Sequence, residues 1–591
     1  MPRKKIPISL FLVFLVWGGW NLLSPGGNPA LSVESDLYPE DSDFCTDILV
    51  GKKASTDGSV MTVHTADCGM CDWTWHHIPA ADHKPDATRK IYWINQIRTY
   101  PPETGGKWAP ANMEKNFSGL EIPQVEHTYA YHHSVFGYMN EHQLALAEST
   151  IGCQRKMRNN TPSAKMDITT LTLLAMERCK TAREAVKLMG TMGEKYGYGY
   201  HDSGEMLAVA DADEVWLFEI MPVGPLWTPE SGKPGAVWCA QRVPDDHVSF
   251  CPNESRIGEV DIKNTDFFLA SPNYMSLAVE MVLYDPAEGK PFSWKRAYSP
   301  STGSAVSSGG RRARLWRLFD LAAPSKNFNP ETQNMDFPFS VKPDAKLSPA
   351  DVMAMTRDKY QGTMFDPASG IKGGSFANPN YMRSIRLEGN TYGAPRLIST
   401  NSVEYTSLTQ CRDWLPGSIG GITWVAFGVQ DTSCYIPLYA GITAVPHSFT
   451  VGDHWVLNRE SARWAMDYVD YHAQVAYSAA LTDIKKAQEE WETSALENTP
   501  AVDSYAKQLY DKDASAAAAF LTDYCLSHAD SVVKAWWELG NDLLVKYNHF
   551  SSYDTKNRRR NRLVFPETWL KAVAEYDKLT PAPATKRPAR K

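Results

Sequence analysis

Cys45-Thr46-Asp47-Ile48-Leu49-Val50-Gly51-Lys52-Lys53-Ala54-Ser55-Thr56-Asp57-Gly58-Ser59 opens the ordered part of this sequence. Residues 26–44 before it are rich in Gly, Pro, Ser, Asp and Glu and read as an extended, exposed spacer. Thr46–Val50 is a short β-type run, Asp57-Gly58 is a turn signal, and Val60–His64 reads as a second strand. The segment is therefore expected to open with a hairpin that has a cysteine at its head.

The first residues upstream read as a targeting signal. Arg3, Lys4 and Lys5 precede an apolar run from Ile6 to Trp20, which is short for a membrane span of about 20 residues. Residues 1–31 are expected to be a signal peptide, cut near Pro29–Ser32, and 32–44 a propeptide or spacer; an uncleaved N-terminal anchor is the alternative. No later segment is apolar for long enough to span a bilayer. The expected location is periplasmic or extracellular, with membrane association if the anchor is kept.

The chain has 591 residues, 43% of them hydrophobic, enough for a large core. A net charge of −8 shows no basic face, so no nucleic-acid partner is expected. The exception is the C-terminal end, where Lys556, Arg558, Arg559, Arg560 and Arg562 cluster and Lys586 to Lys591 are basic again. Residues 551–591 read as a basic, partly disordered tail. With Cys45 set aside, nine cysteines remain, an odd number that cannot all pair within one chain.

Further hairpins follow the first. Ser134–Met139 and Gln143–Ser149 flank Asn140-Glu141-His142, and Met206–Ala210 and Val215–Ile220 flank Asp211-Ala212-Asp213-Glu214. Between them, Ile168–Cys179 has helical spacing, and Thr181-Ala182-Arg183-Glu184 is a capping box that starts another helix. Strands recur at Ala236–Arg242, Ile422–Val429 and Cys434–Leu438, and 326–350 reads as a long loop. From 453 to 550 the pattern is helical, with Ser461–Glu492 as one amphipathic run. Hairpins with helices inserted in pairs point to a layered α+β core rather than a parallel sheet.

A thiol is nucleophilic as thiolate, and a free cysteine has a pKa of about 8.5. An N-terminal α-amine, with a pKa of about 7.7–8.0, can take the thiol proton and later give it to a leaving amine. Cys45 gains such an amine only if the bond after Phe44 is cut. A cysteine at a strand start also serves as an ordinary packed thiol.

The run from Cys45 to Ser59 resembles the opening of the mature chain in the C69 dipeptidases, N-terminal-nucleophile hydrolases related to penicillin V acylases and bile salt hydrolases. Other blocks match in order: Gly137-Tyr138-Met139-Asn140-Glu141, Ala210 to Trp216 with Glu219, Arg242 to Asp246 with Asn253, Phe292 to Tyr298, Gln410 to Pro416, Gly420 to Trp424 and Ser433 to Pro437. The resemblance runs from about 45 to 480. It implies a four-layer αββα N-terminal-nucleophile hydrolase sandwich over 45–452, with a mostly helical C-terminal region over 453–550. It also implies cysteine amidase chemistry and propeptide removal. A small peptide substrate is expected, with no cofactor and, since His76-His77 and His132-His133 lack metal-ligand spacing with a carboxylate, no metal; a homo-oligomer is an open expectation.

The resemblance assigns Cys45 as nucleophile. Relatives carry an Arg and, three residues on, an acid on the second strand; here these are His64 and Asp67. Asp67 fits a carboxylate that binds the α-amine, and His64 in place of Arg would carry a charge that depends on pH. Asn253 is the candidate oxyanion donor, and Arg412 or Arg396 the candidate fixed positive charge. Three rivals stay open: an acylase, a non-enzymatic binding protein, and a thiol redox protein using Cys68 and Cys71, although their CxxC spacing reads better as a local disulfide or two free thiols.

Overall fold

Strand β1 (Asp47–Val50) pairs antiparallel with β2 (Val60–Thr65), with Ile48 opposite Val63. Gly58 sits at φ 87°, and Asp57 Oδ1 accepts from Ser59 N at 3.0 Å, so turn chemistry closes the hairpin where the sequence places it. The computed structural model describes residues 45–69, 71–93, 114–158, 163–199, 203–381, 385–392 and 394–580. The expected signal segment, the spacer and Lys586 to Lys591 lie outside these residues.

The opening hairpin lies inside a seven-stranded antiparallel sheet. Its order is Ser340–Val341, Val248–Cys251, β1, β2, Tyr405–Cys411, Ile422–Phe427 and Ile436–Tyr439. A second, eight-stranded sheet runs Phe268–Ala270, Val237–Arg242, Val215–Met221, Glu205–Ala210, Ala145–Thr150, Gly137–Asn140, Tyr131–His133, His76–Ile78. Both expected later hairpins are neighbours in it, with Ala145 opposite Met139 and Val209 opposite Trp216.

Strand periodicity assigns the layers, because successive side chains point to opposite faces. Leu49 joins Val60, Met139, Ala145, Met206 and Leu217 in a core between the two sheets. Its neighbours Ile48 and Val50 point the other way, into a core shared with Leu318, Phe319, Val469, Ile484 and Trp536 of the helices. On the outer face of the second sheet, Leu207, Trp216 and Phe218 pack with Leu171, Leu174, Val186 and Met189. Those residues come from helices Ile168–Arg178 and Ala182–Tyr196, the latter begun by the Thr181–Glu184 capping box. The order is helix, sheet, sheet, helix: an αββα sandwich of the α+β class.

The C-terminal region supplies one outer layer through helices Ala462–Ala473, Tyr477–Tyr510 and Ala514–Lys546. The expected single run Ser461–Glu492 is broken between Ala473 and Tyr477. Asn378 donates to Gln474 Oε1 at 2.6 Å and buried Tyr477 bonds Asp431, so tertiary polar contacts hold a bend that periodicity does not reveal. Part of the expected tail is ordered, while residues 581–591 lie outside the described residues. Ser551–Asp554 and Arg559–Arg562 form a hairpin followed by helix Glu567–Tyr576. Its arginines stay exposed while Leu563 and Phe565 pack on the helical core, so apolar anchors order a segment whose charge suggested disorder. Cys68 and Cys71 form a disulfide, and the other eight cysteines are free thiols. Among the described residues, no helix is long and apolar enough to cross a membrane.

Candidate active site

Cys45 immediately precedes Thr46 and β1 and is 4% exposed. Its backbone N–H donates to Asn253 Oδ1 at 3.0 Å, and the next N–H, of Thr46, donates to Thr65 Oγ1 at 2.8 Å. Antiparallel pairing sets both contacts: β1 lies between β2, which carries Thr65, and Val248–Cys251, which leads into Asn253. Asn253 has φ 64°, a left-handed conformation that asparagine tolerates better than most residues.

Arg314, buried near the start of helix Ala313–Ala322, ties this corner together. Its guanidinium donates to Cys45 O at 2.5 Å, Thr46 Oγ1 at 2.8 Å, Pro252 O at 3.1 Å and Asn253 Oδ1 at 2.8 Å. Burial, with Arg396 nearby, pulls it down to about 10, which leaves it protonated at neutral pH. One planar fork thus holds the Cys45 carbonyl together with Asn253 Oδ1, the acceptor of the Cys45 N–H, as a point-charge ammonium could not.

Three carboxyl groups share the cluster. Asp67, fully buried, pairs with Arg396 Nη2 at 3.2 Å and accepts from the Thr65 hydroxyl. Burial pushes it up to about 6, against the pull of Arg396 and Arg314. Asp47 is pushed well above the usual carboxylate range by burial and by the Glu148 and Asp67 charges. Glu148 reaches the thiol: Cys45 Sγ is 3.9 Å from Glu148 Oε2. Burial holds His64 neutral, down to about 3. Its Nδ1 donates to Glu148 O at 2.7 Å and stands 3.4 Å from Asp47 Oδ1.

The arrangement can hold a nitrogen, a thiol and a carboxylate in fixed relation out of bulk water, the requirement for nucleophilic attack on a carbonyl. The family model described as "Peptidase family C69" matches residues 44–490. The chain belongs to peptidase family C69. It is 24% identical over 430 residues to "Dipeptidase A" of Lactobacillus helveticus, covering 70% of this chain and 79% of that one. It is 25% identical over 408 residues to a "Probable dipeptidase" of Salmonella dublin, covering 67% and 81%. With a "Probable dipeptidase" of Latilactobacillus sakei the figures are 24% over 475 residues, 77% and 87%. Among solved structures, penicillin V acylase from Agrobacterium tumefaciens is similar over 67% of this chain and 86% of its own, at 10% identity and a TM-score of 0.26. The layer order rests on the packing described above and not on that loose likeness.

In this C69 chain the structure brings Cys45, His64, Asp67 and Asn253 into one cluster, but two of them differ from expectation. His64 is fully buried and carries no pH-dependent charge near neutrality, because desolvation keeps it neutral. Asn253 does not aim its amide N–H at Cys45. That group donates to Ser149 Oγ at 3.2 Å and Thr150 O at 2.9 Å, and the acceptor end meets the Cys45 nitrogen. Arg412 is not brought to the site. It follows Cys411, which pairs with Val60 at the far end of β2, about 17 Å along the strand from Thr65. There it forms a buried ion pair with Asp503 at 2.5 Å. Arg396, the alternative cation, is the one that meets Asp67.

Sequence reasoning missed Arg314 and Glu148. Arg314 has a signal in retrospect: it lies four residues before Leu318, on the apolar stripe of its helix, where an arginine needs buried acceptors.

Proposed function

We propose that this C69 member is an exported cysteine dipeptidase whose nucleophile is Cys45, exposed as the first residue when the Phe44–Cys45 bond is cut. The observation that carries this reading is the Cys45 nitrogen, held by Asn253 Oδ1 at 3.0 Å in a buried corner braced by Arg314. In the uncut chain that nitrogen is a peptide amide. Once cut it becomes an amine at the same place, beside its own thiol. Dipeptidase names among the relatives, and a family match that begins at residue 44, support the choice.

In the proposed cycle the Cys45 amine takes the thiol proton and the thiolate attacks the peptide carbonyl carbon. The C–N bond breaks as the Cys45 ammonium returns that proton to the leaving amine. Water then cleaves the thioester, restoring the thiol and releasing the first amino acid. Asp67, tied to Arg396 and Thr65, gives the ammonium a nearby negative charge.

N-terminal sequencing of the active protein, with hydrolysis of Ala-Ala as the assay, tests this. The expected chain begins at Cys45, and Cys45→Ala is inactive. Full activity from a chain with Phe44–Cys45 intact would sink the mechanism. Equal activity on N-acetylated substrates would make the protein an acylase instead.

A further inference from the structure

A dipeptidase must distinguish a substrate with a free α-amine from one without, and the site contains a group placed to do so. We propose that Glu148 is the carboxylate that binds the α-ammonium of the dipeptide; the inference rests on the dipeptidase reading. Glu148 is 1% exposed, on the strand Ala145–Thr150. Its Oε2 is 3.9 Å from Cys45 Sγ, and its Oε1 accepts from Thr150 Oγ1 at 3.2 Å.

The distances close. A reacting carbonyl carbon stands about 3–3.5 Å from its nucleophile. The α-nitrogen of the same residue lies about 2.5 Å from that carbon, two bonds away. A charge-assisted N–H···O contact of about 2.7–2.9 Å spans from that nitrogen to a carboxylate. An oxygen 3.9 Å from Sγ lies within this reach, whereas the carbon and nitrogen of the leaving residue extend away from the substrate's amine.

The backbone around Glu148 is built to keep that spacing. His64 Nδ1 donates to its carbonyl at 2.7 Å. Asn253, which holds the Cys45 nitrogen, also donates to Thr150 O at 2.9 Å and Ser149 Oγ at 3.2 Å. One asparagine therefore couples the nucleophile's backbone to the strand that carries the carboxylate. The other two acids have different neighbours: Asp67 meets Arg396, and Asp47 stands against His64.

The test compares mature wild type and Glu148→Gln on Ala-Ala and on propionyl-alanine, the same amide with hydrogen in place of the amine. Both proteins are first checked by N-terminal sequencing. Wild type is expected to favour Ala-Ala strongly. In Glu148→Gln the ratio of the two kcat/KM values should fall by about 100-fold or more, mainly through KM for Ala-Ala. A parallel loss on both substrates, with the ratio intact, would overturn the proposal and make Glu148 a group that serves the thiol. If Glu148→Gln does not mature, Thr150→Val decides: freeing Oε1 should lower the ratio by about tenfold, and an unchanged ratio would overturn the proposal. A wild type that hydrolyses both substrates equally refutes the dipeptidase reading itself, whatever Glu148→Gln does.

Discussion

Replacing Arg314 with methionine removes the brace at the head of β1 while keeping a long apolar side chain. The guanidinium makes four hydrogen bonds, to Cys45 O, Thr46 Oγ1, Pro252 O and Asn253 Oδ1. Asn253 Oδ1 keeps the donor from Cys45 N, and the Thr46 hydroxyl can turn to another acceptor. The two carbonyl oxygens lose their guanidinium donors in a buried site, at about 1–3 kcal/mol each, so Arg314→Met should lower unfolding free energy by about 2–6 kcal/mol. Arg314→Lys, which keeps charge but not the fork, should fall between. Activity should suffer beyond stability: a nucleophile displaced by about 1 Å can lose about 100-fold in rate. Urea unfolding followed by circular dichroism, with kcat/KM on Ala-Ala at a temperature where all variants are folded, reads both effects. An Arg314→Met enzyme within about 1 kcal/mol and about threefold of wild type would show that the four contacts do not hold the nucleophile.

Two further outcomes follow from the charges. Burial raises Asp67 from its ordinary 3.8 to about 6, so it gains a proton as pH falls through that value and gives up its pairing with Arg396. The ammonium created at Cys45 can only pull this value down. The acid limb of kcat/KM, measured from pH 4 to 8, should therefore have an apparent pKa at or below about 6 and disappear in Asp67→Asn; a limb well above 6 that survives the substitution rules Asp67 out as its source. Arg412→Leu strands Asp503 in a buried site and should cost about 3–5 kcal/mol in urea unfolding. Its folded fraction should keep kcat/KM within about threefold of wild type; a selective loss of kcat in fully folded protein would return Arg412 to the site.

Local sequence signals set most of the elements of the layered core and their order. The β-type runs at 46–50 and 60–64, the Asp57-Gly58 turn and the Thr181–Glu184 capping box are short-range signals, and each became the element it specified. The ordered blocks from Cys45 onward also identified the family. The role of each side chain was set by long-range contacts. Arg314 and Cys45 are 269 positions apart, and Glu148 and Cys45 are 103 apart. Their meeting depends on sheet register and helix docking, which no local window contains. Arg412 lies in a block that resembles relatives, yet register puts it at the wrong end of β2. Asn253 was found, but which end of its amide faces Cys45 depends on Ser149 and Thr150 across the sandwich. His64 was found as well, and its missing charge follows from burial, a property of the assembled layers and not of the residue.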